Sequence, residues 1–271
     1  MLLKKIPYIS IFVLVGIFLL CFAFPYFYTI SAYKLDPDSI LLAPSFKHIF
    51  GTDRLGRDLF ARLMQGGQVS LIIGVLSAFI ASFVGLIVGV SAGFFRGVVD
   101  KSIVVMIDLF LTFPTFFLLL ALISYVNASI LVLVIVISIT GWMGMARMIR
   151  SESFAISKMP FIKILKIAKV SPVKIILKYY TPLIAPIFFI SFTFGVSGAI
   201  LAESGLSFLG IGITPPQISW GTIISEGKEV IDIAWWLSFF PGFFIFLVTY
   251  SLINISDYLQ TKTNEKEIVS V

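Results

Sequence analysis

Six apolar runs constrain this chain more than any other feature: residues 6–27, 69–94, 102–125, 130–145, 179–201 and 237–255. A helix needs about 20 mostly apolar residues to cross a bilayer. Lipid offers no water to backbone N–H and C=O groups, so only helices or closed barrels span it. The expected fold is an all-α polytopic membrane protein with about six transmembrane helices. Composition agrees, with 59% hydrophobic and 13% charged residues, against roughly a quarter charged in an ordinary soluble domain.

Charge sets the orientation. Basic residues near the ends of spans stay on the cytoplasmic side. Arg147, Arg150, Lys158, Lys163, Lys166, Lys169, Lys174 and Lys178 crowd the connection between the fourth and fifth runs, against one acid, Glu152. Placing that loop inside puts both termini inside, with Lys4 and Lys5 before a retained first span. By this assignment about fourteen Lys and Arg lie inside and about six outside, the bias that membrane insertion favours. The net charge of +6 therefore belongs to topology and is no sign of nucleic acid. Cys21 is the sole cysteine and His48 the sole histidine, so neither a disulfide framework nor a metal site is expected.

The basic loop reads as two short helices. Pro160 suits a first helical turn, and Phe161, Ile164, Leu165 and Ala168 fall on one face at helical spacing. Lys163, Lys166 and Lys169 fall elsewhere. Ser171-Pro172 has the form of an N-cap followed by a first-turn proline, opening a second helix through Lys174 and Lys178 into the fifth span. Such a segment suits either anionic lipid headgroups or a cytoplasmic protein partner.

Other motifs stand out. Residues 32–66 form a near-neutral external loop holding Gly51-Thr52-Asp53-Arg54-Leu55-Gly56-Arg57-Asp58, followed by an interfacial helical stretch, 59–64. Asp58 and Arg62 stand four apart, which permits a helical ion pair. Gly85, Gly89 and Gly93 lie four apart in the second span, a spacing that lets helices approach closely. The third span carries Asp108 and, later in the same helix, Pro114. An intramembrane acid is costly. It serves either a pathway or proton relay, or an interfacial pair with a nearby Arg or Lys. Residues 203–221 are apolar yet rich in helix breakers, with Gly205, Gly210, Gly212, Gly221, Pro215 and Pro216. Irregular backbone at membrane depth lines a cavity or lies buried in protein. Glu203, Ser207, Phe208 and Trp220 join those residues as candidates for a pathway, a gate or a subunit interface. Trp235 and Trp236 suit interfacial anchoring, and the tail from 257 reads as polar and frayed.

No phosphate-loop motif, zinc motif or Ser/His/Asp constellation occurs. An ATP-driven version of this protein would take its ATP and Mg from a separate chain, through the basic loop. A secondary carrier would depend on Asp108.

Three segments carry a resemblance to a family. They are 51–58, the run from Asp108 to Pro114, and 203–221 with its Glu-x-Gly-Leu-Ser-Phe-Leu-Gly-x-Gly and Ser219-Trp220-Gly221. They resemble the inner-membrane permeases of type I ABC importers, specifically the second permease of the dipeptide, oligopeptide and nickel group. The resemblance implies a bacterial inner-membrane subunit, not itself an enzyme. It implies a homologous permease as heterodimer partner, two ATPase subunits and an extracytoplasmic binding protein. Small peptides are the expected cargo, with nickel or a nickel chelate as the alternative. It divides the chain into 1–66, a transmembrane domain 67–258 with coupling loop 150–178, and a tail 259–271. In the family the coupling loop carries Glu-Ala-Ala, then Gly, then Leu-Pro. Here those positions align with Lys163, Ile164 and Leu165, then Lys169, then Thr181 and Pro182. The departures imply acids in the partner ATPase opposite Lys163, Lys166 or Lys169.

Overall fold

The computed structural model describes the backbone of residues 6–269 and the side chains of residues 6–263; Lys4 and Lys5 lie outside the described residues. Among the described residues, five helices are long and apolar enough to span a membrane, and a bent helix pair brings the number to six where it counts as one span. The α-helices in chain order are α1 (Tyr8–Phe22), α2 (Leu59–Phe95), α3 (Gly97–Leu111), α4 (Thr115–Ile123), α5 (Ile130–Ser157), α6 (Pro160–Ile167), α7 (Pro172–Ile175), α8 (Thr181–Phe208), α9 (Trp220–Lys228) and α10 (Trp236–Val269). Asn254 of α10 donates to Ser10 of α1 at 3.4 Å, so the start of α1 lies beside the middle of α10.

Helix α2 is the axis of the bundle. Its 37 residues rise about 55 Å at 1.5 Å each, so the expected interfacial stretch 59–64 and the second span are one helix. Asp58 caps it, its Oδ1 accepting from the Ala61 N–H at 2.9 Å. The glycines at 85, 89 and 93 give the close helix approach their spacing predicts, and the helix they admit is α5. A Cβ on Gly89 would lie 2.7 Å from the Ala146 carbonyl, and one on Gly93 would lie 2.6 Å from the Ser153 Cβ.

Several expectations need correction. Pro114 does not sit within one helix. It lies between α3 and α4, which meet at 78°, because proline lacks the N–H for the helical bond and pushes Phe113 out of helical geometry. Helix α5 continues past 145 to Ser157, so Arg147, Arg150 and Glu152 ride on a helix rather than in a loop. Helix α8 continues through Gly205 to Phe208, and Gly221 lies in α9. These two glycines serve close approach instead of breaking helices: a Cβ on Gly221 would lie 2.7 Å from the Ser204 backbone. The irregular stretch shortens to 209–219. Helix α10 carries the polar tail in helical form to Val269. Trp236 is buried, its indole N–H donating to the Thr52 carbonyl at 3.1 Å, while Trp235 stays half-exposed.

Candidate coupling helix, buried carboxylate and external clasp

The cytoplasmic end is built around α6. Ile162 is fully buried in a cluster with Val90 and Phe94 of α2, Ile149 and Ile156 of α5, and Tyr180. Leu165 packs on the same cluster. Phe161, Ile164 and Ile167 face out, with Ile164 64% and Ile167 81% exposed. The face expected from spacing, Phe161, Ile164, Leu165 and Ala168, is thus divided. Ile162 and Leu165 seat the helix, and the other three point away. Lys163 is exposed. Lys166 turns back onto α2: its ammonium lies 4.1 Å from the Phe94 ring centre and donates to the Phe94 carbonyl at 3.2 Å. Burial, and then the Arg96 cation, hold that ammonium below the ordinary lysine range.

Helix α6 ends in a left-handed residue. Lys169 has φ of 56°, and the Val170 N–H reaches back to the Leu165 carbonyl at 3.1 Å. This is the position where helix ends favour glycine, and the resemblance places a glycine there. Ser171 opens α7 as expected but makes no side-chain cap. A wide turn, Ile176–Tyr180, joins α7 to α8. It precedes Pro182, whose missing N–H cannot serve the helical bond.

Asp108 of α3 pairs with Arg147 of α5, both about half-exposed. Asp100 pairs with Arg150 in the same manner, with one contact at 2.7 Å. Arg96 hydrogen-bonds Ser157 and lies 4.5 Å over the Phe154 ring, which Lys158 approaches at 4.4 Å.

Toward the outer side, Glu203 is fully buried. It accepts from Ser70 at 2.9 Å, Ser207 at 2.8 Å and Ser204 at 3.4 Å. Those hydroxyls also hold the irregular stretch. Ser207 accepts from the Ile213 N–H and Ser70 from the Trp220 N–H, both at 3.2 Å. Trp220 is fully buried and donates to the Leu63 carbonyl at 3.0 Å. Gly210 takes a left-handed φ of 81°, and Gly212 lies where a Cβ would meet the Ser207 backbone at 2.6 Å. Pro215 and Pro216 are exposed on the outer turn, and Phe208 is partly exposed under Lys228.

The external motif closes into a clasp. Gly51 and Gly56 have positive φ of 82° and 72°, which glycine tolerates at no steric cost. Asp53 accepts from the Leu55 and Arg57 N–H groups and from the Arg57 guanidinium at 2.6 Å. The Thr52 hydroxyl accepts from the Leu42 N–H at 2.8 Å. Asp58 meets His48 at 2.9 Å and Tyr28 at 3.2 Å. The helical pair permitted by Asp58 and Arg62 does not form. Arg62, 1% exposed, instead meets Asp53 at 3.3 Å and Glu226 of α9 at 2.8 Å. Asp58 is already engaged as the cap of α2. Sequence spacing gave no signal for Glu226, 164 residues away.

A cavity of about 230 Å³ lies among α2, α4, α5 and α8, lined by Ser77, Ala78, Thr140, Gly141 and Gly198. The Ser77 hydroxyl is buried with no hydrogen-bond partner among the described residues. This cavity forms only when four helices meet, so no single motif marks it.

A bundle of membrane-spanning helices with a small helix held at its cytoplasmic end defines a polytopic helical membrane protein. Residues 85–265 match the family described as binding-protein-dependent transport system inner membrane component. The chain belongs to that family and is an inner-membrane permease. It is 31% identical over 266 residues to the oligopeptide transport system permease protein OppC of Haemophilus influenzae, covering 97% of this chain and 86% of that one. It is 32% identical over 264 residues to the dipeptide transport system permease protein DppC of Bacillus subtilis, covering 97% and 82%. In structure it is similar to the MetNI methionine ABC transporter in inward-facing form, with TM-score 0.58 and 16% identity, over 74% of this chain and 97% of that one. The fold is that of type I ABC importer permeases.

Proposed function

We propose that this permease imports small peptides, as one of two homologous, non-identical permeases driven by separate ATPase subunits and fed by an extracytoplasmic binding protein. The observation that carries the reading is α6. It presents Ile164 and Ile167 to the cytoplasm while Ile162 anchors it beneath the spans. An exposed apolar helix face of this kind suits a groove on a partner. Phe161, Lys163, Ala168 and Lys169 frame that face, and the exposed Lys163 and Lys169 suit acids on the ATPase. ATP and Mg belong to those partner chains, and this chain is not an enzyme by itself. The relatives named for oligopeptides and dipeptides favour peptide over nickel. The cavity beside Ser77 and Thr140 is our candidate for the cargo path, with Glu203 and stretch 209–219 as its outer gate. Asp108, held by Arg147 near the cytoplasmic end, is a poor candidate for an ion-coupling site at the midplane.

The test is purification from the native membrane in mild detergent, with identification of the copurifying chains. A second permease and ATPases are expected. This chain alone, still transporting without ATP, would overturn the reading.

A further inference from the structure

We propose that Lys166 is a positioning residue: it fastens the coupling helix to α2, and α2 carries motion of that helix to the external clasp and the stretch 209–219. The inference rests on α6 being the ATPase contact. Two features of Lys166 carry it. It sits on the same short helix as the outward-facing Ile164 and Ile167, yet its ammonium is directed the other way, onto both the ring and the carbonyl of Phe94. A cation over an aromatic face combined with a charge-assisted hydrogen bond gives a directional tie, where apolar contacts such as Ile162 against Phe94 permit sliding. Phe94 is locked in turn, edge-on to Tyr180 at 5.4 Å.

Phe94 lies at the last turn of α2, and the same helix holds the outer elements at its other end. Arg62 grips Glu226 of α9. Ser70 hydrogen-bonds both Glu203 and the Trp220 N–H. No proline occurs in α2, so the helix lacks the commonest source of a sharp kink. A displacement of α6 applied at Phe94 therefore arrives at α9 and at the 209–219 stretch. The competing route runs through α7 and the wide turn into α8, where the helix contains Pro186.

The test uses the whole complex purified from its native membrane and reconstituted into liposomes. A Leu55→Cys reporter sits on the clasp at 49% exposure, and native Cys21 is buried. Maleimide labelling of the reporter is timed with and without ATP plus vanadate. The variants are Lys166→Met, which keeps the stem and removes the charge, and Lys166→Arg, which keeps a cation and its donors. The expected result is a nucleotide-dependent change in labelling rate in the parent and in Lys166→Arg. In Lys166→Met that change is lost while the ATPase chains remain in the complex. A change retained in Lys166→Met assigns transmission to α8 and overturns the proposal. Loss of the ATPase chains from Lys166→Met would make Lys166 a docking contact and also overturn it. So would a parent complex with ATPases but no nucleotide response at Leu55→Cys. Absence of ATPases from the parent would instead sink the underlying reading of α6.

Discussion

Arg62 and Glu226 meet at 2.8 Å across 164 residues of sequence, joining the outer end of α2 to α9. Arg62 is almost fully buried and shares Asp53 with Arg57. Asp53→Ala would leave Arg62 buried with one partner, Glu226, which is itself partly solvated. Removing one side of a buried ion pair costs about 3–5 kcal/mol. The variant is expected to unfold at a markedly lower temperature in detergent, whereas Arg54→Ala, which breaks an exposed pair with Glu229, changes the midpoint little.

Tyr28 links the clasp to pH. Burial, and then the Asp58 carboxylate that accepts its hydroxyl, push its phenol up to about 12. An unfolded tyrosine titrates near 10. A raised folded value means the contribution is present in full below about pH 10 and is lost as pH climbs through about 12. Thermal melts between pH 9 and 11.5 should show a steeper loss in the parent protein than in Tyr28→Phe. Parallel curves would remove Tyr28 from the account.

Gly89 is a point where α2 lies close against the backbone of α5. A Cβ there would stand 2.7 Å from the Ala146 carbonyl and 2.9 Å from the Arg150 N–H nitrogen. Backbone atoms cannot give way as a flexible side chain can. Gly89→Val is expected to cost about 1–3 kcal/mol from overpacking, read as a lower unfolding midpoint. Gly16→Val, where nothing lies within 4 Å, is the control and should be near neutral.

Lys169 holds a left-handed conformation that costs a non-glycine residue roughly 1–2 kcal/mol. Lys169→Gly relieves the strain at some cost in unfolded-chain entropy. A net gain of about 0.5–1 kcal/mol in stability is expected, measurable as a raised unfolding midpoint. A fall in the midpoint would mean that the Lys169 side chain itself stabilises the loop.

Much of this was legible in sequence because it is local. Apolar run length gave the spans, glycine spacing gave a close helix approach without naming α5 as the partner, and Pro160 marked the start of α6. Motif 51–58 was visible as dense polar sequence, but its chemistry was not, because Glu226 and His48 complete it from elsewhere. The limits of α5 and α8 were misplaced for a related reason. Arg147 and Arg150 end the apolar run, but arginine is a good helix former, and Asp108 and Asp100 of α3 pair with them where α5 runs on. Gly205 is a poor helix former, yet it stays within α8, with Phe116 of α4 against it. The inward turn of Lys166 was hidden because charge alone cannot say whether a lysine meets solvent, an acid or a ring.

The most direct test of the central claim is peptide uptake into liposomes carrying the purified complex, with ATP present or absent and with Ile164 and Ile167 either native or replaced by Asp. The account predicts uptake that requires both ATP and the binding protein, and its loss in the Ile164→Asp, Ile167→Asp double variant. Uptake that proceeds without ATP, survives the double variant and disappears in Asp108→Asn would contradict it and make this chain an ion-coupled carrier.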